Sequence, residues 1–255
     1  MMQEHVPPSD EFKKVDLHIH TPGSSCYRDH MTSEAGLRTS PEEIVEAALA
    51  AELEMIAITD HNSVEGIDSI REVAGPNGPC VFPGLELSAQ GGHVLVLFDH
   101  DTPVEELRAL LRFIGFTKEQ HGKGFLQTDV WIDEVFCLAE QSGGLAIAAH
   151  IDRRQGGFAA SEHPLATRKR IHNCDCLTAL EITMPRDRFR WSQGRTPHYP
   201  KRFACIQGSD AHAPEEIGRR CIYLKMPQLS LHGLRLAFAQ FEQRVRFPED
   251  LSTTN

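Results

Sequence analysis

Six short apolar runs, each bounded by histidine, aspartate or glutamate, constrain this chain more than any other feature of its sequence. Val15–His20 reads VDLHIH, and Met55–Thr59 (MIAIT) runs into Asp60 and His61. Val81–Leu87 carries Glu86 after Pro83-Gly84-Leu85, and His93–Phe98 (HVLVLF) opens on a histidine after the turn SAQGG. Leu145–Ala149 (LAIAA) is followed by His150, and Phe203–Gln207 (FACIQ), expected as the last strand, ends in Gly208-Ser209-Asp210-Ala211-His212. Runs this short and this apolar read as buried strands, and Ala179–Thr183 (ALEIT) is a seventh. Between them lie helical stretches with recognisable starts and stops. Thr39-Ser40-Pro41-Glu42-Glu43 offers a capping hydroxyl, an early proline and acids before IVEAALAAE, and Thr102-Pro103-Val104-Glu105-Glu106 repeats the pattern. Thr128–Gln141 is a further helix, stopped by Gly143-Gly144, and Leu229–Gln243 is a closing one. Strands alternating with helices predict parallel pairing and an α/β architecture. An open sheet would spread the polar strand ends along an edge. A (β/α) barrel gathers them on one face, so the barrel is the expected form.

Composition bounds the rest. Forty per cent of the 255 residues are hydrophobic, enough for one substantial core. A single domain is expected over residues 1–255, with its core at about 14–225 and a C-terminal helix at about 229–243. The formal charge of −10 disfavours non-specific binding of duplex DNA. No apolar run reaches the roughly 18–20 residues of a membrane span, and the N-terminus lacks the apolar core of a secretory signal. A cytoplasmic, non-membrane protein is expected. The seven cysteines form no CxxC pair, so no disulfide framework is expected, and Cys174 and Cys176 read as ordinary thiols.

The strand ends carry the chemistry. Residues two apart on a strand face the same way, so His18 and His20 can reach one ion, with Asp16 behind them to orient a ligand. Asp210 and His212 project together by the same rule. Glu86 is a carboxylate that is awkward to bury without a partner, and it suits a position between two cations. Taken singly, Asp60-His61 also reads as a capping pair, His93 as a surface histidine and His150 as a satisfied core residue. Taken together, His18, His20, His61, Glu86, His93, His150, Asp210 and His212 are too many ligands for one transition metal. Two or three divalent ions (Zn²⁺, Mn²⁺ or Fe²⁺) are implied, and such clusters serve hydrolysis of phosphate esters or amides.

At this point the sequence resembles the polymerase and histidinol phosphatase (PHP) superfamily. DLHIHT, ITDH, GLELS, a strand-borne histidine, AAH and GSDAH occur in that family's order over residues 14 to about 225. The resemblance implies a distorted (β/α)7 barrel with the metal site at the C-terminal ends of the strands. It also implies hydrolysis of phosphomonoesters or phosphodiesters by metal-activated water. Carried over, His18, His20, His61, Glu86, His93, His150, Asp210 and His212 match metal ligands, with Glu86 the bridging carboxylate. The family usually has a further Asp or His five or six residues after the second histidine. Here Ser25 and Cys26 stand there, so Cys26 is expected as a thiolate ligand, with Asp29 or His30 as alternatives. Asp60 or His212 is expected to handle protons.

Charge distribution adds a substrate argument. Between Arg153 and Arg202 there are eleven Lys or Arg and four Asp or Glu, in a chain that is otherwise strongly acidic. Arg153, Arg186 and Arg219 follow strand ends and are candidates for binding phosphate oxygens, whereas residues 167–170 (TRKR) read as a helix surface. A phosphorylated small molecule, nucleotide or oligonucleotide is the expected substrate, weighted towards the nucleotides. The alternatives are a non-catalytic metal-bound PHP module acting as scaffold or regulator and, further off, an amidohydrolase.

Overall fold

The structure, a computed structural model, describes residues 11–28 and 38–251. In chain order it runs β1 (Glu11–Ile19), α1 (Pro41–Ala50), β2 (Met55–Ile58), α2 (Ile67–Ala74), β3 (Cys80–Ala89), β4 (Gly92–Leu97), α3 (Val104–Ile114) and α4 (Ile132–Gln141). Then come β5 (Leu145–Ala148), α5 (Leu165–His172), β6 (Leu177–Glu181), α6 (Arg188–Ser192), β7 (Ala204–Ile206), β8 (Ile222–Met226) and α7 (Leu231–Ala239). The short α8 (Phe241–Arg244), β9 (Val245–Arg246) and α9 (Pro248–Leu251) end the described chain. No helix among the described residues is long and apolar enough to cross a membrane.

Local chemistry sets the helix boundaries. The Ser40 hydroxyl accepts from the Glu43 N–H at 3.3 Å while the Glu43 carboxylate accepts from the Ser40 N–H at 2.7 Å, a reciprocal cap on α1. Val104, Leu107, Leu110, Leu111 and Ile114 place one apolar stripe of α3 on the core, and Gly115 ends the helix at φ 91°. β2 and β5 are buried on both faces, which is why they read as unbroken apolar runs.

Among the described residues the strands form one sheet of nine, ordered β7-β6-β5-β4-β3-β2-β1-β8-β9. The sheet curls into a nearly closed barrel. Beyond β7, the Asp210 N–H donates to the His18 carbonyl at 2.9 Å and the His20 N–H to the Ala211 carbonyl at 3.0 Å. This parallel bridge brings the two motif-bearing edges together at the C-terminal end of β1. Expected parallel pairing holds for β1–β2–β3 and β5–β6–β7 but not for β4, which is antiparallel to both neighbours. The physical reason is the two-residue connection between Ala89 and Gly92, which leaves no room for a crossover.

Three further expectations are corrected. Asp210 and His212 do not follow the last strand, because β8 pairs antiparallel with β1 from Glu11 to Val15. The closing helix is two helices, broken at Gln240 (φ −114°, ψ 37°). Cys176 is no ordinary thiol: it is disulfide-bonded to Cys137, across a separation of 39 residues that the packing of α4 beside the α5–β6 turn closes. Cys174 keeps a free thiol.

Candidate metal centre

β1 delivers two imidazoles to one point. His18 and His20 are fully buried and their Nε2 atoms are 3.2 Å apart. Glu86, from β3, sets its Oε2 3.2 Å from His18 Nε2 and 3.1 Å from His20 Nε2. Asp210, on the closing segment, sets Oδ1 3.3 Å and 3.2 Å from the same two nitrogens. Donors about 2.0 Å from a common tetrahedral centre stand about 3.3 Å from one another, so these four are spaced as the ligands of one ion.

Glu86 also faces a second group. Its Oε1 is 2.9 Å from His93 Nδ1 and 2.9 Å from His150 Nε2, while His61 Nδ1 lies 3.0 Å from Oε2. One carboxylate thus divides its oxygens between two sets of imidazoles. A third set, His20, His61 and His212, brings its donor atoms within 4.8 Å of one another. Cys26 Sγ stands beside it, 3.0 Å from His212 Nε2. Asp29 and His30, the alternatives to Cys26, lie outside the described residues.

The donor set fits divalent cations by an independent sign. Glu86 Oε2, His61 Nδ1 and His150 Nδ1 are buried without an aligned hydrogen bond, and buried polar atoms of folded proteins are nearly always paired. Nitrogen and oxygen donors suit Zn²⁺, Mn²⁺ or Fe²⁺.

Charge is concentrated to match. Burial opposes ionisation of Glu86, but the imidazoles of His61, His18 and His93 hold its carboxyl well below the ordinary range. Burial likewise opposes charge on His20, yet Asp210 and Glu86 raise it to about 9. Burial and neighbouring His20 push His212 down to about 4. Burial, with Glu86 close by, lifts the Cys26 thiol to about 12.

Outer contacts fix how each ring presents itself. His18 Nδ1 is 3.0 Å from Glu181 Oε1, which leaves its Nε2 lone pair for the cluster. Glu181 also accepts from the His150 N–H at 2.8 Å. His212 Nδ1 is 2.9 Å from the Asp210 carbonyl, so its Nε2 carries the lone pair and faces Cys26 Sγ. His20 Nδ1 is 2.9 Å from Ser24 Oγ. His150 (φ 26°), Asp210 (φ 50°) and Asn62 (φ 50°) all hold positive φ, strain that recurs at functional sites. At Gly156 (φ 76°) an added Cβ would come within 2.7 Å of the His150 ring, so that close approach requires glycine.

Every ligand expected from the sequence is therefore brought together. Asp60 and Asp16 stand behind the ligands rather than among them. Asp60 is buried and accepts from the Thr21 N–H at 2.8 Å, the Thr21 hydroxyl at 2.5 Å and the Ser24 hydroxyl at 2.6 Å. It acts on His20 through Ser24. Asp16 accepts from Ser209 N–H at 3.0 Å and Gly218 N–H at 2.9 Å, and so pins the loop that carries Asp210. Arg153 stands at the rim, paired with Asp210 Oδ2. Arg219 holds the Ser209 carbonyl at 3.0 and 3.1 Å and Glu216 at 2.7 Å. Arg186 is exposed on the loop after β6. Glu181, Ser24 and Thr21 were missed. Glu181, like Glu86, is a buried carboxylate inside an apolar run (ALEIT and VFPGLEL), so the same signal marks it. Beside His93 a cavity of about 480 Å³ opens, lined by Gly156, Arg154, Phe125, Gln127 and His163.

No family model matches the chain. An uncharacterized protein of Methanocaldococcus jannaschii is 28% identical over 138 residues, 54% of this chain and 67% of that one. A lesion-specific endonuclease from Pyrococcus furiosus superposes with a TM-score of 0.67 at 16% identity, covering 90% of this chain and 56% of its own. The present chain thus spans little more than half of that enzyme. A two-domain protein from Bacteroides vulgatus, containing a predicted PHP-like metal-dependent phosphoesterase, superposes with a TM-score of 0.60 at 17% identity, covering 96% of this chain and 68% of its own. An amidohydrolase from Chromobacterium violaceum with bound sulfate gives 0.54 at 17% identity, covering 94% and 99%. At these identities the likeness is one of fold, shared with the Bacteroides protein that contains a predicted PHP-like metal-dependent phosphoesterase.

Proposed function

We propose that the chain is a single PHP-type domain that hydrolyses phosphate esters at a centre of two or three divalent cations. The observation that carries this reading is Glu86, whose two oxygens face two separate groups of imidazoles. His18, His20, Glu86 and Asp210 would hold one ion, and Glu86, His93 and His150 a second. His61 and His212, with Cys26, would hold a third. When bound, such ions supply Lewis acidity for the ester oxygens and a water of lowered pKa.

The chain's own residues do the rest. Glu181, Ser24 and the Asp210 carbonyl each engage an imidazole Nδ1 of the cluster and turn its Nε2 inward. Arg153 reaches the rim, where its guanidinium can take two phosphate oxygens while releasing Asp210 to a cation. The partly exposed His212 is the imidazole nearest to proton exchange with solvent. Asp60 is a positioning residue.

Nucleotides or oligonucleotides are the favoured substrates. The basic segment from Arg153 to Arg202 supports them, as does the likeness to an endonuclease whose 27-mer duplex complex carries an abasic lesion at the active site. The amidohydrolase likeness supports a second reading. Metal-loaded protein should be assayed on p-nitrophenyl phosphate, bis-p-nitrophenyl phosphate, an N-acyl nitroanilide and a duplex with one abasic site, each with a chelated control. Chelator-sensitive turnover of a phosphate ester supports the proposal. Turnover of the anilide alone would replace it with the amidohydrolase reading, and silence on all four would favour a non-catalytic module.

A further inference from the structure

A second donor cluster lies away from the histidines. Cys137 is in α4, and Cys174 and Cys176 flank Asp175 in the turn between α5 and β6. Cys176 immediately precedes β6, whose other end carries Glu181 against His18. Five strand residues put about 16 Å between the two ends.

Three sulfurs meet here. Cys137 and Cys176 are joined, and the free Cys174 Sγ is 3.7 Å from Cys137 Sγ. Two thiolates on one zinc ion, with bonds of about 2.3 Å, stand about 3.8 Å apart. The Cys137–Cys174 spacing is therefore that of two ligands on a shared ion, and the third sulfur has closed onto one of them.

The surroundings suit a cation. Asp133 lies one helical turn before Cys137; its carbonyl accepts from the Cys174 thiol at 3.6 Å, its Oδ2 pairs with Arg170 at 2.5 Å, and its Oδ1 is buried without a hydrogen bond.

We propose that Cys137, Cys174 and Cys176 form a thiolate site for a soft divalent ion such as Zn²⁺, open when all three are reduced and closed when Cys137 and Cys176 are bonded. Closure needs an oxidant, and a low-molecular-weight disulfide serves. One cysteine thiolate attacks it and expels a small thiolate; the other attacks the mixed disulfide and expels the second. The two electrons lost by Cys137 and Cys176 reside on the two small thiolates, and the ion departs because two of its three sulfur donors are gone. The structure shows the closed form. The site is independent of phosphoester hydrolysis.

The test uses the full chain as Cys26→Ser, so that sulfur at the histidine centre cannot contribute. The protein is reduced with a phosphine, stripped by chelation and titrated with Co²⁺ without oxygen. A thiolate-to-cobalt charge-transfer band should grow in, disappear on adding oxidised glutathione, and be lost when Cys174→Ser is added. Zinc-edge X-ray absorption of the zinc-loaded Cys26→Ser protein should show sulfur at about 2.3 Å, a reading that needs no change in the cluster. Absence of sulfur scattering, or a cobalt band indifferent to Cys174→Ser, would overturn the proposal.

Discussion

The histidine–carboxylate cluster and the cysteine cluster stand at opposite ends of β6, and they meet the same electrostatic problem in different ways. In the first, nitrogens and oxygens are held 3.1–3.3 Å apart. Imidazole and carboxylate cannot bond covalently, so the cluster keeps its shape and leaves Glu86 Oε2 and His61 Nδ1 without aligned partners. In the second, two sulfurs satisfy one another by a bond and only Cys174 is left over. The histidine centre is also braced from outside, by Glu181, Ser24 and strained backbone at His150 and Asp210. The cysteines sit on one helix and one turn. Rigid bracing fixes a reactive geometry; a lightly held sulfur set can change state.

The largest effect should come from the residue that unites the first cluster. Glu86→Gln keeps the shape and removes the charge shared by two imidazole groups. Phosphate-ester turnover should fall by about 10³-fold or more, read as kcat/KM beside metal content. Activity within tenfold of wild type would show that the two groups do not need a common carboxylate.

A histidine at the cysteine end tests the contrast from the other side. His172 is fully buried among Tyr199, Phe203 and Trp191, with ring centroids 5.1, 5.2 and 6.1 Å away. Burial lowers it from 6.5 to about 4, and no carboxylate answers it. The unfolded chain therefore binds a proton that the folded chain refuses. Stability is complete above about pH 6.5 and is lost as pH falls towards about 4, by roughly 3 kcal/mol in all. Urea midpoints of wild type and His172→Phe should diverge over that window; parallel curves would mean that His172 titrates freely.

What the sequence made legible follows from cost. His18, His20, Glu86, Asp210 and His212 could be read because charged or polar groups at the ends of apolar runs are expensive unless used, and because period two puts alternate residues together. Features set by distant partners were not legible. β8 alternates between buried and half-buried positions from Ile222 to Met226, yet nothing local says that it pairs with β1. Cys137 and Cys176 are 39 residues apart and meet only through helix packing. The reversal of β4 depended on whether SAQGG closes as a tight turn. Glu181 was legible in principle, since it is a carboxylate inside an apolar run as Glu86 is, but its partner His18 lies 163 residues away.

Glu181 supplies the next test. Glu181→Gln should weaken metal retention or activity by about 10- to 100-fold, the usual cost of losing the outer partner of a liganding histidine. Competition with a chromophoric chelator reads it directly. The thiolate site at the other end of β6 should be unaffected, because sites this far apart behave additively. A matching loss there would mean that β6 couples the two clusters.

Arg153 gives the smallest effect and separates two roles. Its guanidinium pairs with Asp210 Oδ2, whose other oxygen faces His18 and His20. As a substrate-binding group, it should leave metal affinity intact on change to Lys and raise KM roughly tenfold, because a point charge replaces a two-pronged donor. As an Asp210-orienting group, it should leave KM intact and loosen the metal. Arg153→Lys, assayed for KM, kcat and metal content together, distinguishes these outcomes. The half-exposed position of Arg153 at the mouth of the centre favours the first, since a group needed only to steer Asp210 gains nothing from facing solvent.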